Sequence, residues 1–570
     1  MSEIIKPSVE AAYEFLEIMN DFTDPREIIR EGISNSYDAQ AKRIEIEVSK
    51  IQEIGKPEIK ITIRDNGEGM IGIPQSDIDK KIPNIKTFFA LGDSTRRTYD
   101  LETKEKKTTG IGTKGHGTKI FYKSRLIRVE TYRDNKKTIA TVKDAMARFY
   151  HGEMPDIETQ STANSPSDWW KTSIEIIGYD AQESFFEHEA LKDYIYWFTK
   201  HGSPELQFNV SVNKGKKIFL KGLGKEAPAE ELEFGHVFPE ECYDIKALKT
   251  KYPQHDFTKY FVKRWCFLQI PLSKHPGVNI DFIFSIEGDE AKRLYNKMLK
   301  EGKYTVVERY GIWLCKDYIP IQKVNEWIAK KTEWTKFHSF INCQHLELTA
   351  NRGSVNNTKK EFIEDIEDTV KTIFKNKIAT DHIYQKYLEA IEEEEAQRTI
   401  EQEKADYTKR AKKARKKKHA KYKSIDLFEP QNEAETITLF VSVSSLMPKL
   451  FEFIPVDYNT KAGYDTLIRA KDRLAMDHTE LKFVEFKHRL KSPFNHSFEN
   501  LNHIVCWDCD LADGTDFFDI GNKKATLHIT KTKEGTKNKL IYTLKTESEK
   551  IIKVYVLREY LKEQINLKFQ

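Results

Sequence analysis

The sequence predicts a multidomain protein of the α+β class. Its 570 residues are too many for one hydrophobic core, so roughly two to four domains are expected. Stretches with helical spacing of apolar residues are interleaved with stretches of period-two alternation, which is typical of half-buried strands. A polar stretch without glycine or proline, residues 361–423, precedes a last segment with the pattern of a folded domain. We place the predicted domains at residues 1–190, 191–360, 361–424 and 425–570.

The composition argues against a membrane protein. Charged residues make up 32% of the chain, and no run of 18 apolar residues occurs. The first 15 residues lack the basic and then apolar pattern of a signal peptide. The six cysteines are scattered and lie mostly beside hydrophobic residues, which indicates reduced, buried thiols. We therefore expect a cytoplasmic protein.

An amphipathic helix is predicted directly after Pro25. Its apolar face is formed by Ile28, Ile29 and Ile33. Glu31, Asn35 and Asp38 follow one another at i, i+4 and i+7 and therefore line another stripe of the helix. A carboxylate can polarise a water molecule, and an amide oxygen can ligate Mg²⁺. The alternative interpretation of the same stripe is a solvated helix face.

Two predicted strands, residues 43–48 and 58–64, lead into the turn Asp65-Asn66-Gly67-Glu68-Gly69-Met70. Asp-Asn-Gly is turn chemistry, so a simple turn is one interpretation. The functional interpretation is a strand end that presents Asp65 to the edge of a base, with the glycines leaving room for the ring. A carboxylate that accepts a hydrogen bond from an exocyclic amino group would select adenine over guanine.

The most unusual stretch is glycine-rich and spans residues 109–119. Glycines allow positive φ and let backbone N–H groups approach an anion, and lysines add point charges for phosphate. The following residues 120–122 are compatible with the first turn of a helix whose positive end faces the loop. A surface loop without a ligand is the alternative. The candidate phosphate-binding residues are Gly112, Lys114, Gly115, His116, Gly117, Thr118 and Lys119.

The three stretches read E-x-x-x-N-S-x-D-A (31–39), D-x-G-x-G-M (65–70) and G-x-G-x-x-G-x-G-x-K (110–119). In this order they resemble the GHKL ATPases, the group of gyrase, the large heat-shock chaperones, histidine kinases and MutL. The resemblance implies a Bergerat-type α/β sandwich that binds ATP and Mg²⁺. It implies Glu31 as the general base, Asn35 as the Mg²⁺ ligand and Asp65 as the adenine-binding carboxylate. The other implied nucleotide contacts are Asp38, Gly67, Gly69, Met70 and the seven glycine-rich-loop residues.

The resemblance extends to two later positions. Thr172 resembles the threonine of a late strand that supports the adenine-site aspartate, although Lys171 stands where the family has glycine. Residues 200–350 carry predicted strands at 206–210, 280–284 and 311–315, and GHKL proteins have a ribosomal-protein-S5-like transducer domain here. That domain sends an arginine or lysine to the ATP γ-phosphate. Arg352 resembles that residue, and Lys359 and Lys360 are competing candidates.

The polar stretch at 361–423 predicts a helix or a coiled-coil arm. Residues 409–418 read KRAKKARKKK, which would place positive charge all round a helix. Such a run is commonly a solvated face, but it also favours contact with a polyphosphate through counterion release. We therefore expect a helical basic arm that binds DNA without sequence specificity.

The last segment contains acidic residues at a spacing that suits a divalent cation. Residues 432–440 predict a helix that carries Glu433 and Glu435, and Asp465 begins a β-prone run. In the predicted strand 481–487, Glu485 and Lys487 share one face. The carboxylates would hold Mg²⁺ to activate water, with the lysine beside the scissile phosphate. A lone E-x-K, however, is common in strands.

The pattern Asp465, then Glu485-Phe486-Lys487, resembles the PD-(D/E)XK nucleases of the restriction-endonuclease fold. The resemblance implies Asp465, Glu485 and a helical acid, Glu433 or Glu435, as metal ligands, and Lys487 as a catalytic residue. It also makes residues 501–507 the strand after that fold's crossover helix. No proline precedes Asp465 in this chain, which departs from the pattern. His496 is a further residue that could reach phosphate.

An ATPase domain followed by a nuclease-like domain resembles the arrangement of prokaryotic MORC-like ATPases fused to nucleases. This resemblance implies an ATP-dependent homodimeric clamp on DNA that cuts with Mg²⁺ in defence against phage or other foreign DNA, with a possible partner protein. An RNA nuclease would use the same metal site. The competing hypothesis is a MORC-like or chaperone-like clamp that compacts DNA or remodels protein without cleaving.

Overall fold

The computed structural model describes most of the chain and shows a mixed α/β protein with several sheets. The chain divides into two compact units, Met1–Arg398 and Thr399–Gln570. The predicted domain boundaries at 190, 360 and 424 stay predictions. No helix among the described residues combines the length and the apolar character needed to cross a membrane. The described residues are 10–91, 97–99, 106–108, 111, 117–166, 168–209, 212–253, 256–329, 332–349, 352–459, 464–471, 480–534 and 537–570.

The first unit begins with a mixed sheet that includes the strands predicted at 43–48 and 58–64. Its strand order is β10-β9-β1-β2-β8-β5-β6-β7; β1 and β9 run parallel and the other neighbouring strands run antiparallel. Strands β3 and β4 pair separately. The elements are α1 (Ala11–Asn20), α2 (Glu27–Asp38), β1 (Arg43–Ile54), β2 (Lys56–Asp65), α3 (Ile85–Phe89), β3 (Arg97–Tyr99), β4 (Lys106–Thr108), β5 (Leu126–Arg133), β6 (Lys136–Lys143), α4 (Ala145–Tyr150), β7 (Glu158–Ala163), β8 (Thr172–Ile177), α5 (His188–Phe198), β9 (Lys217–Lys221) and β10 (Glu230–Glu233).

A second sheet follows in the same unit, in the order β11-β12-β15-β13-β14, with β13 and β15 parallel. The strands predicted at 280–284 and 311–315 lie in β12 and β13. The elements are α6 (Ile245–Lys251), β11 (Val262–Pro271), β12 (Asn279–Glu287), α7 (Asp289–Tyr295), α8 (Lys297–Lys300), α9 (Val306–Arg309), β13 (Gly311–Lys316), β14 (Ile319–Lys323), β15 (His338–Asn342), α10 (Lys360–Ile373) and α11 (His382–Ala414).

The strand predicted at 206–210 is wrong. Pro204–Phe208 forms a short 3₁₀ helix instead. Proline suits the first helical position, and the Ser203 side chain accepts a hydrogen bond from the backbone N–H of Glu205. Asn209, with a φ of 57°, ends the turn.

The polar helix predicted over 361–423 is shorter than expected, and part of it packs on the first unit. It consists of α10, a π-helical turn at Phe374–Ile378 and α11, and it ends at Ala414. Within the first unit, Tyr387 and Ala390 of α11 belong to the core under the second sheet. Glu394 is buried and accepts a hydrogen bond from the backbone N–H of Thr258 at 3.0 Å. This part of α11 is therefore packed on its own unit and is not a solvated arm.

The second unit contains a mixed sheet in the order β18-β19-β20-β21-β25-β24-β23-β22 and a separate hairpin, β16-β17. Strands β20, β21 and β25 are parallel to one another. Helices α12 and α13 contribute to its core. The elements are β16 (His419–Tyr422), β17 (Ile425–Phe428), α12 (Glu433–Leu446), β18 (Phe453–Pro455), β19 (Thr466–Ala470), β20 (Leu481–Arg489), β21 (Leu501–Asp508), β22 (Asp516–Phe518), β23 (Lys524–Glu534), β24 (Lys537–Thr546), β25 (Ile551–Val556) and α13 (Leu557–Ile565).

The predicted helix at 432–440 and the strands at 481–487 and 501–507 are confirmed by α12, β20 and β21. The crossover helix expected between those two strands is absent, because residues 490–500 are described throughout and contain no helix. Phe494 and Phe498 are both buried in the core beside β21, and they fix this loop by hydrophobic packing.

Candidate functional site

Helix α2 carries the polar stripe that the sequence predicted. Its apolar face is buried, with Ile28, Ile29 and Ile33 all 0% exposed. The helix lies very close to β2, because a Cβ at Gly32 would be 2.3 Å from Ile63 Cδ1. A larger residue at position 32 would therefore require the Ile63 side chain to move. The packing turns Glu31, Asn35 and Asp38 away from the apolar core.

Glu31 lies in a crowded polar environment. It is 7% exposed, and its Oε1 is 3.4 Å from the Nη2 of Arg30. Its Oε2 lies so close to Gly117 that a Cβ there would be 1.7 Å from that oxygen. Gly117 begins the 3₁₀ helix Gly117–Lys123, where the sequence favoured the first turn of an α-helix. Helix α2 and the end of the glycine-rich stretch therefore meet at the Glu31 carboxylate.

Asn35 and Asp38 continue the stripe with different environments. The Nδ2 end of the Asn35 amide is buried and has no hydrogen-bond partner among the described residues. The Oδ1 of Asp38 accepts a hydrogen bond from the backbone N–H of Ile111 at 2.8 Å. The Asp38 side chain therefore binds a backbone N–H of the glycine-rich stretch. The Nδ2 of Asn35 remains available to donate a hydrogen bond to a ligand.

Arg352 reaches the same backbone from the other side. Its Nη1 donates a hydrogen bond to the carbonyl of Ile111, and its Nη2 lies 2.7 Å from Asp317 Oδ2. Of the three cations that the sequence proposed here, Lys360 is instead paired with Glu364 at 3.4 Å, and Lys359 precedes α10 at the surface. The structure thus brings Arg352 to Ile111 and, through it, to Asp38.

Asp65 ends strand β2 in a buried position and is 5% exposed. Its Oδ1 accepts a hydrogen bond from the backbone N–H of Gly67 at 2.8 Å, and its Oδ2 accepts one from the Ser36 hydroxyl at 3.1 Å. Burial raises the pKa of Asp65 to about 6, and the two hydrogen bonds act against that shift. Ser36 belongs to helix α2, so the helix and the strand end share this carboxylate.

The two glycines after Asp65 are required by close backbone contacts. A Cβ at Gly67 would be 2.6 Å from the carbonyl oxygen of Ala39, directly after α2. Gly69 has a φ of +73°, and a Cβ there would be 2.1 Å from the carbonyl oxygen of Tyr132. Any larger residue at either position would push the Asp65 turn away from its neighbours.

Thr172 lies beside Asp65 in the sheet, and its support of that aspartate stays a prediction. The two residues are paired in register across β2 and β8. The Thr172 hydroxyl oxygen is 3.3 Å from that of Thr131, and Thr131 Oγ1 accepts a hydrogen bond from the backbone N–H of Met70 at 2.8 Å. Sequence reasoning missed Thr131, because its strand β5 reaches this edge only through the antiparallel pairing with β8.

Lys119 is fully buried rather than solvent-facing. Its Nζ donates to the Thr118 hydroxyl at 2.7 Å and to the carbonyl of Phe88 at 3.3 Å, and Thr118 also donates to that carbonyl. Burial lowers the pKa of Lys119 to about 7. The other predicted loop residues, Gly112, Lys114, Gly115 and His116, lie outside the described residues.

The second unit brings together the residues of its predicted site. Lys487 Nζ is 2.7 Å from Glu485 Oε1 and 3.2 Å from Glu433 Oε2, so the lysine bridges strand β20 and helix α12. Asp465 Oδ2 accepts a hydrogen bond from the backbone N–H of Phe486 at 2.7 Å. The predicted sharing of one strand face by Glu485 and Lys487 therefore holds in the structure.

Glu485 is the most deeply placed acid of this cluster. It is 1% exposed, and its Oε2 is buried without a hydrogen-bond partner among the described residues. Burial raises the pKa of Glu485 and also that of Asp465, and the Lys487 ammonium opposes both shifts. No three His, Cys, Asp or Glu side chains of the described chain converge as metal ligands. Lys487 pairs with both Glu433 and Glu485, but only Glu485 keeps a buried oxygen without a partner in the described chain, so Asp465 and Glu485 are the candidate pair.

His496, which the sequence analysis named only as a residue that could reach phosphate, is a member of this cluster. Its Nε2 is 3.5 Å from Glu485 Oε1, and its ring lies 5.0 Å from that of Tyr464. It lies in the loop 490–500 that replaces the expected crossover helix. Tyr464, whose hydroxyl donates to the Ser497 carbonyl at 2.7 Å, helps to hold this loop beside Asp465.

One comparison with known proteins bears on the first site. Residues 23–168 match the family model of histidine kinase-, DNA gyrase B-, and HSP90-like ATPases. A search of the curated proteins found no match. The matched residues include the α2 stripe, the Asp65 turn and the glycine-rich stretch. The match supports a GHKL-type ATPase domain in this part of the chain.

Proposed function

We propose that the first unit hydrolyses ATP at the site formed by helix α2 and the end of strand β2. The observation that carries this proposal is that Glu31, Asn35 and Asp38 lie on one helix, whose Ser36 binds Asp65, inside the matched residues. Glu31 would accept a proton from the attacking water, and Asp65 would accept a hydrogen bond from the adenine amino group.

The residues present fit the implied nucleotide and Mg²⁺. The oxygen of the Asn35 amide is a ligand type that Mg²⁺ accepts, whereas the buried atom without a partner among the described residues is the Nδ2 donor at the other end of the amide. Bound Mg²⁺ would neutralise charge on the transferring phosphate. Gly67 and Gly69 let the turn after Asp65 pack closely on the carbonyls of Ala39 and Tyr132, which keeps Asp65 at the end of the strand. Arg352 is the residue of the second sheet region best placed to support phosphate charge, because it already contacts Ile111.

The second proposed activity is metal-dependent cleavage of a phosphodiester in the second unit. Asp465, Glu485 and Lys487 lie together, and one buried oxygen of Glu485 lacks a partner in the described chain. Such an oxygen suits a hard cation such as Mg²⁺, which would activate water. Lys487 would stabilise charge on the phosphate, with Glu433 holding the lysine in place.

In the whole chain these sites would form an ATP-dependent homodimeric clamp on DNA that acts against phage or other foreign DNA, with a possible partner protein. This proposal rests on the MORC-like resemblance and on the basic run at 409–418. Both are also compatible with a clamp that binds DNA without cutting it. The difference depends on whether the cluster around Glu485 is catalytic.

The first test replaces the general base. Glu31→Gln should lower kcat for ATP hydrolysis about a hundredfold or more while ATP still binds, because only proton transfer is removed. Glu27→Gln is a matched control, since Glu27 is also buried on α2 beside Arg30. Equal turnover in the Glu31→Gln protein and the wild type would contradict the role of Glu31.

The second test addresses cleavage on plasmid DNA and on RNA side by side. Glu485→Gln should abolish Mg²⁺-dependent cutting and leave ATP hydrolysis unchanged, because the two sites share no residue. Glu452→Gln is the control, since it removes a carboxylate paired with Lys553 on the same sheet. If neither nucleic acid is cut by the wild-type protein, the non-cleaving clamp becomes the better proposal.

A further inference from the structure

Arg352 is held by two partners at once. Its guanidinium donates to the backbone carbonyl of Ile111 through Nη1 and lies 2.7 Å from Asp317 Oδ2 through Nη2. Both side chains of the Arg352–Asp317 pair are 18% exposed. A charge-assisted hydrogen bond in such a half-buried place fixes the direction of the guanidinium plane more firmly than a surface ion pair does.

Ile111 connects this arginine to the nucleotide helix. Its carbonyl accepts from Arg352, and its N–H donates to Asp38 Oδ1 at 2.8 Å. One residue therefore joins the end of helix α2 to the loop that carries Arg352. The contacts form a continuous path from Asp38 through Ile111 and Arg352 to Asp317, which lies in the turn between β13 and β14 of the second sheet.

The turn that carries Asp317 is itself anchored. Asp317 and Tyr318 have φ values of 56° and 58°, as a tight two-residue hairpin turn requires. The Tyr318 backbone N–H donates to Asn342 Oδ1 at 2.8 Å, and the Tyr318 hydroxyl donates to Asp281 Oδ2 at 2.7 Å. Lys200 donates to the Asp317 carbonyl at 3.0 Å. The turn is therefore bonded to β15, to β12 and to the segment after α5.

We propose that Asp317 is a positioning residue for Arg352 in ATP hydrolysis. This inference rests on the proposed function, in which Arg352 supports charge on the phosphate. A carboxylate on an anchored turn sets the rotamer of Arg352 before nucleotide binds, so the arginine needs little reorganisation during the reaction. The same contact links the second sheet to the Asp38 end of helix α2.

The test combines steady-state kinetics with a double-mutant cycle on the full chain. Asp317→Asn keeps the shape of the side chain but removes its charge, and it should lower kcat about tenfold while the affinity for ATP changes less than twofold. Arg352→Ala should lower kcat at least as much. In the double variant, Asp317→Asn should add nothing, because its effect acts through Arg352.

A second readout needs no turnover. Hydrogen exchange of the peptide that contains Ile111, measured without nucleotide, should be faster in Asp317→Asn and Arg352→Ala than in the wild type. Asp289→Asn is the control, since this exposed aspartate pairs with Lys292 in the same unit and has no contact with Arg352. It should change neither exchange nor kcat.

The outcomes separate the inference from the proposed function. If Glu31→Gln abolishes turnover but Asp317→Asn leaves kcat and exchange unchanged, Asp317 does not position Arg352 and the ATPase proposal stands. Additive losses in the double variant would also overturn the inference, because they show an effect independent of Arg352. If Glu31→Gln has no effect on turnover, the proposed function itself fails.

Discussion

At the scale of single residues, Asp65 shows how burial and hydrogen bonding compete at the candidate nucleotide site. Burial favours the protonated carboxyl group, while the Gly67 N–H and the Ser36 hydroxyl favour the carboxylate. The resulting pKa of about 6 lies above the ordinary value of 3.8. Asp65 is therefore ionised at pH 7.5 and largely protonated at pH 5, a change within the range in which proteins are commonly studied.

This pKa predicts opposite pH effects on binding and on stability. As pH falls from 7.5 to 5, affinity for a non-hydrolysable ATP analogue should fall about fivefold, since a neutral acid is a weaker acceptor than a carboxylate. Over the same range the Asp65 contribution to nucleotide-free stability should rise, because a folded-state pKa above the unfolded one favours folding as pH falls. Calorimetric titration and urea unfolding measure the two quantities.

The variant Asp65→Asn assigns these effects to one group. It should remove the part of both pH dependences that arises from residue 65. Glu27→Gln is the control for a second buried acid, because burial raises the pKa of Glu27 to about 7. That variant should retain the pH dependence of nucleotide affinity. An Asp65→Asn protein with the full wild-type pH dependence would assign it to another residue.

At the scale of elements, the pattern of apolar residues predicted most of the helices and strands that it was used for. The helix α2 and the strands β1, β2, β12, β13, β20 and β21 follow from the local pattern of apolar residues, which marks a helix or a strand whether one face or both faces are buried. The strand predicted at 206–210 failed because Pro204 and the Ser203 cap favour a 3₁₀ turn there. The missing crossover helix could not be predicted, since buried phenylalanines in a loop and in a helix give the same composition.

The site residues also differ in how far the sequence predicted them, depending on whether they are close or distant along the chain. Glu31, Asn35 and Asp38 share a helix, so their spacing alone placed them together. Thr131 and His496 joined their clusters through strand pairing and loop packing, which connect residues distant in sequence. The Arg352–Ile111 contact joins residues 241 apart and has no local signal. The position of Arg352 came only from the resemblance.

The end of helix α11 carries the charge that the DNA-binding proposal needs. The helix stops at Ala414, and Lys417 of the basic run is paired with Glu435 at 2.6 Å. Lys412, Lys413 and Lys416 are exposed, and no carboxylate of the described chain pairs with them. The basic run therefore divides into one lysine that anchors the segment on α12 and several cations that remain available to a polyanion.

Replacing Lys412, Lys413 and Lys416 by glutamine should weaken duplex DNA binding and reduce its salt dependence. The slope of log K against log salt is negative, and each lost phosphate contact should reduce its magnitude by about 0.9, so the magnitude should fall by roughly 2 to 3. The control replaces Lys523, Lys545 and Lys562, which are paired with acids in the same unit. Fluorescence anisotropy at several salt concentrations gives both slopes. Equal decreases in the two triple variants would indicate a general charge effect.

At the scale of the whole molecule, the two candidate sites belong to different compact units. The nucleotide cluster lies in Met1–Arg398, and the Glu485 cluster lies in Thr399–Gln570. The two sites share no residue, so any effect of ATP on the second site requires a change outside the nucleotide site, in the conformation or the association of the chain. Nucleotide-dependent association of two copies is the simplest such change, since GHKL ATPases often dimerise.

A variant that binds ATP without hydrolysing it should reveal this association. Glu31→Gln with ATP and Mg²⁺ should have twice the 66.7 kDa mass of the chain by light scattering, and the mass of one chain without nucleotide. The bound state persists because turnover no longer removes ATP, and a ligand that favours the dimer shifts the equilibrium towards it. Adding Asp65→Asn should restore the single-chain mass by weakening ATP binding, whereas Glu485→Gln should leave the dimer intact. A single-chain mass for Glu31→Gln at saturating ATP would contradict the clamp and would confine the action of ATP to one copy.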